Sequence, residues 1–163
     1  MKIITRILLI GIFVLIAVCP LWAANSDNHD LTVTIAAINE LNVSGNLTIT
    51  IDTATAGQEP NPETDATSTI DYTTNSASNK KITGQYAIQS GNDDHLTIDA
   101  EITSTSGTSM GSLTLSDTSA IDLVTGLQQC ADAGETLTYV VTATVEQTVG
   151  NHVFRVTYTL TDQ

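Results

Sequence analysis

Apolar and polar residues alternate one for one along much of this chain, and the longest such run, LTVTIAAINELNVSGNLTITI, covers residues 31 to 51. Leu31, Val33, Ile35, Ala37, Leu41, Val43, Leu47, Ile49 and Ile51 fall on one side of an extended backbone, interrupted at Asn39 and Gly45. Thr32, Thr34, Glu40, Asn42, Ser44, Thr48 and Thr50 fall on the other. Successive side chains of a strand point to opposite faces, so the pattern predicts a sheet with one side on a core and the other in water. Two strands are expected, at about 31 to 37 and 41 to 52, with a bend or a change of sheet near Asn39.

The next stretch, TATAGQEPNPETDATS, holds Gly57, Pro60 and Pro62, has no period and reads as an exposed loop. Short strands follow at 68 to 74, 80 to 88, 95 to 103, 111 to 116 and 121 to 124, with SGND at 90 to 93 as a turn. The last two strands alternate most clearly. Leu137, Tyr139, Val141, Ala143 and Val145 mark the first, and Val153 or Phe154 through Leu160 mark the second. Thr148, Val149, Gly150 and Asn151 between them predict a hairpin turn. No segment carries a helical stripe. About seven to nine strands at this spacing predict an all-β fold, an antiparallel immunoglobulin-like β-sandwich. Aromatic residues are few, so Val, Ile, Leu and Ala must pack the core, which suits two sheets about 10 Å apart.

The first residues belong to a different regime. Lys2 and Arg6 form a basic start, residues 7 to 19 an apolar centre and Leu21-Trp22-Ala23 a cleavage site, so residues 1 to 23 read as a secretory signal peptide and residues 24 to 163 as one β-sandwich domain. An uncleaved membrane anchor is the alternative, since the uncharged run to Ala24 is long enough to span. Pro20 and the small residues favour cleavage, and no basic stop-transfer cluster follows. Lipoprotein processing at Cys19 would want a small residue before it, and Val18 stands there.

Charge narrows the partners. The whole chain is −13, and removal of Lys2 and Arg6 leaves only Lys80, Lys81 and Arg155 against eighteen acidic residues. Such a surface repels phosphate backbones and anionic lipids, so nucleic acid and, after cleavage, membrane are excluded as partners. Self-association of so acidic a chain needs salt screening or enough apolar burial to outweigh repulsion. Cys130 is the one cysteine left after cleavage, so no internal disulfide forms and it is expected to be buried or to pair between chains. Its neighbours Gln128, Gln129, Ala131 and Asp132 read as a loop.

Three motifs carry candidate chemistry. Gly107-Thr108-Ser109-Met110-Gly111 fits the G-x-S-x-G pattern and resembles the serine motif of subtilisin-like proteases, but a nucleophile elbow needs a strand-to-helix turn, a histidine and an acid. A Gly/Ser loop between strands is the expected reading, and no catalytic residue is assigned. Asp93-Asp94-His95 groups metal-type ligands without the spacing of an EF-hand or a zinc motif, so a turn-capping role is expected, with no metal and no cofactor. His29 and His152 have no partner that the sequence brings near. Asn42-Val43-Ser44 and Asn46-Leu47-Thr48 fit the glycosylation pattern, which arises readily by chance in an Asn/Thr-rich chain.

The opening LTVTIAAINELNV, the central TTNSASNKKIT and the closing VGNHVFRVTYTL resemble, in order and character, segments of the major subunits of alpha-class, colonisation-factor type chaperone–usher fimbriae. The closing segment is also similar to the ends of spore coat U-type secreted domains. The first resemblance implies an incomplete sandwich in which an N-terminal strand of one subunit fills a groove in the next. It implies that Leu31, Val33, Ile35 and Ala37 are the apolar plugs and that the strand from Val153 to Leu160 borders the groove. Residues 24 to 30, ANSDNHD, and Cys130 depart from that pattern. The simpler alternative is that residues 31 to 37 pair within their own chain.

The resulting expectation is a non-enzymatic bacterial protein, secreted, periplasmic or at the cell surface, with a structural or interaction role and self-assembly or another surface protein as partner. The runner-up is a monomeric adhesin-like or carbohydrate-binding module using loops 53 to 67 or 104 to 111, against which stands the lack of tryptophan after residue 22. A hydrolase rests on GTSMG alone.

Overall fold

A computed structural model describes residues 26 to 163; the expected leader and its expected cleavage site lie outside the described residues. The chain divides into two units, Met1–Thr34 and Ile35–Gln163. The described part of the first, residues 26 to 34, is exposed and has no regular structure.

The second unit is an antiparallel sandwich of nine strands, the all-β architecture expected from the alternation. One sheet has the order β1 (Asn39–Val43), β2 (Glu63–Thr74), β8 (Cys130–Ala143), β4 (Leu96–Ile102), β6 (Leu113–Thr114). The other has the order β5 (Thr108–Ser109), β7 (Ile121–Leu127), β3 (Lys80–Ser90), β9 (Val153–Asp162). β2, β4 and β8 bury alternate residues along much of their length. Ser68, Ile70, Tyr72 and Thr74 of β2 face Ile82 of β3 and Leu123 of β7 across the core, together with Leu137 and Tyr139 of β8. The core is aliphatic apart from the tyrosines, and Tyr139 and Tyr158, from opposite sheets, satisfy each other with an O···O distance of 2.6 Å. Burial pushes both phenols to higher pKa.

Four expectations are corrected. Residues 31 to 37 join no ladder, and of the predicted strand 41 to 52 only the start is paired, as part of β1. Residues 63 to 68, read as loop, begin β2, because β8 offers them a partner from Val141 down to Leu137. Cys130 to Asp132 likewise open β8 by pairing with Thr74 to Tyr72, and Cys130 is half-buried, its thiol pKa raised by burial and by Asp132. The expected hairpin between the last two strands does not form: β8 and β9 lie in different sheets, so residues 144 to 152 cross from one sheet to the other. Alternation tells which face of a strand is buried and is silent about which neighbour it bonds to.

Candidate functional site

The ladders give the sandwich two ends. Asn39, Thr74, Lys80, Cys130 and Asp162 lie at one, here the base; Val43 points away from it along β1, and Ser90, Ala143 and Val153 lie at the other, the top. β1 and β9 are the outer strands of their sheets and approach each other at one side of the sandwich.

That side is open. β9 forms a ladder only with β3, so along its ten residues the outward N–H and C=O groups have no strand partner among the described residues. Its inward residues Phe154, Val156, Tyr158 and Leu160 pack on the core yet are only half-buried, whereas Ile82 and Leu123 on the neighbouring strands of the same sheet are fully buried. On the other side the chain leaves β1 and continues through Leu47, Ile49 and Ile51, also half-buried, with Thr48 and Thr50 exposed. This stretch keeps the two-residue period without a ladder, its nearest backbone bonds being Ser44 N–H to Thr69 C=O and Asn61 N–H to Thr53 C=O, both 2.9 Å. The core residues along this unpaired edge are therefore only half-covered. Long unpaired edges are templates for pairing with another chain, and β9 carries one charged residue, Arg155, before its last position.

The four residues expected as plugs join no ladder. Leu31, Val33 and Ile35 are 80, 72 and 79 % exposed, Ala37 is exposed, and none has a ladder partner. Just beyond them the chain is tied to the base: Ile38 N–H donates to Asn75 Oδ1 and Asn75 Nδ2–H donates to the Ala36 carbonyl, both at 2.8 Å. Asn75 was not singled out in the sequence; an Asn just after a strand is common enough that only the fold gives it this role.

The other candidates resolve into local structure. Ser109 lies in β5, its Oγ accepting the Gly111 N–H at 3.2 Å, and no helix follows. Asp93 accepts the Tyr86 hydroxyl, whose pKa burial and that carboxylate push up to about 12. The Asp93 carbonyl accepts Leu96 N–H to close the turn, and His95 Nδ1 lies 3.4 Å from Glu146. No group of three metal-type side chains occurs among the described residues. Asn42 and Asn46 are both exposed.

A carboxylate clamp holds the base of the sandwich where residues 103 to 107 cross from one sheet to the other. Asp132 accepts Tyr72 OH at 2.8 Å and Ser106 N–H and Oγ–H at 2.9 and 2.7 Å; Glu135 accepts Thr103 Oγ–H at 2.7 Å and Thr105 N–H at 2.8 Å. Burial alone would raise the Asp132 carboxyl, but the Ser106 and Tyr72 bonds outweigh it and hold it below its ordinary value. The Thr105 and Thr103 bonds do the same for Glu135 against burial. Folded-state values below the unfolded ones mean that both carboxylates stabilise the fold above the unfolded values and lose that contribution as pH falls through the folded ones. Melting temperature should therefore drop on acidification below about pH 4. An Asp132→Asn, Glu135→Gln variant should melt lower at pH 7 and show a shallower acid limb; an unchanged acid limb would exclude the clamp as its source.

Compared with protein-family models, curated proteins and solved structures, the chain finds no significant match.

Proposed function

We propose that this protein is a structural subunit that assembles with copies of itself, residues 31 to 37 of one copy adding a strand beside β9 of the next. One coincidence carries the reading. A single chain holds four exposed apolar residues at two-residue spacing and, along its unpaired edge, four half-covered inward residues at the same spacing. Either run is about 20 Å long at the strand rise. Strand addition satisfies the open backbone groups of β9 and covers the core residues in the same step.

Connectivity argues for a partner copy over self-filling. The added strand would run antiparallel to β9, as every ladder in the sandwich does. That places Ala37 at the top, whereas Ile38 is held at the base of its own sandwich by Asn75, the length of the strand away. A head-to-tail contact that cannot close on itself propagates as a filament.

Light scattering during size-exclusion chromatography tests this on the full protein and on a form lacking residues 24 to 37. The full form should give polymers; the shortened one should stay monomeric and capture a synthetic LTVTIAA peptide. A monomeric full form that unfolds on truncation would put residues 31 to 37 in their own sandwich and favour a monomeric binding module.

A further inference from the structure

We propose that strand addition forces a second contact: Ile38 of the donating copy packs on Val153 of the accepting copy, within an apolar rim completed by Val145 and Val149. The inference rests on the strand-donation reading and concerns what lies just beyond the donated strand.

Register comes first. For all four plugs to meet the four half-covered residues of β9 in an antiparallel pairing, Leu31 sits beside Leu160, Val33 beside Tyr158, Ile35 beside Val156 and Ala37 beside Phe154. A one-residue slip would turn every plug outward, and a two-residue slip would leave one plug without a seat. The small Ala37 then falls beside one of the two aromatic seats, where Phe154 stands edge-on against Tyr86 at a centroid distance of 5.5 Å.

The same register places Ile38 beside Val153. Both are large apolar residues left in water in the single subunit, 41 and 48 % exposed. No slack separates plug from body, because the two Asn75 bonds hold residues 36 and 38 to the donor's base. The donor's base must therefore stand on the acceptor's top, whose loop exposes Val145 at 69 % and Val149 fully, with the Glu146 carboxylate between them. The loop presenting them is held firmly. Gln147 Oε1 accepts His95 N–H at 3.1 Å, its Nε2–H donates to Asn92 Oδ1 at 2.7 Å, and His152 Nδ1 accepts Asn92 N–H at 3.2 Å. Gly91, at φ +81°, lies so close to the His152 ring that a Cβ would come within 2.5 Å of Nδ1. Exposed valines on a loop held by these bonds suit the base of a second copy.

The test is a double-mutant cycle on the full chain with Ile38→Ser, Val153→Ser and both together, reading the dissociation rate of polymers after dilution. Each single change should speed dissociation about ten-fold, the scale of one lost apolar contact, and the double should be no faster than the worse single. Capture of LTVTIAA, which lacks Ile38, should be the same for Val153→Ser as for the unaltered chain. Val149→Ser, outside any strand, gives an independent variant and should also speed dissociation. Effects that multiply, or no effect, would overturn the contact and leave strand donation standing; so would loss of peptide capture by Val153→Ser, which would place Val153 in the groove itself. Absence of both polymers and peptide capture in the unaltered chain would overturn the strand-donation reading, and the contact with it.

Discussion

Aspartate in place of Ile35 should stop chain growth while leaving the unfolding of the single subunit unchanged. Ile35 is 79 % exposed and lies before the first strand, so its replacement removes no packing from the sandwich, and exposed changes of this kind shift stability by less than about 0.5 kcal/mol. Seated beside Val156 in a neighbouring copy, the same side chain would be covered, which is worth about 2 to 3 kcal/mol for an isoleucine. A carboxylate there loses that burial and enters an apolar site without a partner. Polymer affinity should fall more than about 100-fold, since every 1.4 kcal/mol is ten-fold. Thr34→Asp, on the opposite side of the same extended run, adds the same charge and should cost far less. Light scattering reads the assembly and a urea titration the fold; polymers that persist in Ile35→Asp would sink the role given to this residue.

Leu137→Ala should have the opposite profile. Leu137 is fully buried at the centre of β8, paired with Ser68 on one side and Ile102 on the other, so truncation leaves a cavity between strands that cannot collapse independently. The expected loss is about 3 kcal/mol. That is a large share of the roughly 5 to 15 kcal/mol that holds a domain of this kind, and it weighs more in a sandwich whose core is only half-covered along β9. Donor peptide at a hundred times its dissociation constant should return about 2.7 kcal/mol, because it binds only the folded state. A lowered urea midpoint that recovers when LTVTIAA is added would link core stability to groove occupancy; a midpoint unmoved by peptide would argue that nothing fills the open side.

Particular residues show how far the pattern could be read. Ile98, Ala100 and Ile102 alternate with Thr97, Asp99 and Glu101, and β4 falls where that alternation places it. Glu63 to Thr67 look like loop because Pro60 and Pro62 precede them and no large apolar residue marks a face, yet they are strand because β8 runs beside them. Cys130 to Asp132 are strand for the same reason. Leu47, Ile49 and Ile51 are the converse: a run with a strand's period whose backbone finds no ladder. The clamp of Asp132 and Glu135 on residues 103 to 106 joins side chains about thirty positions apart, and nothing local announces it.

The chain by itself determined the class of fold and the faces of its strands, because burial of alternate side chains is a property of consecutive residues and needs no knowledge of partners. It also carried the apolar run 31 to 37 in plain view. Which strands bond to which, the crossing of residues 144 to 152 between sheets, the unpaired edge of β9 and the tether of Ile38 to Asn75 were decided only by the tertiary structure. These depend on backbone groups that every residue shares and on contacts between distant positions, and neither leaves a mark in the order of side chains.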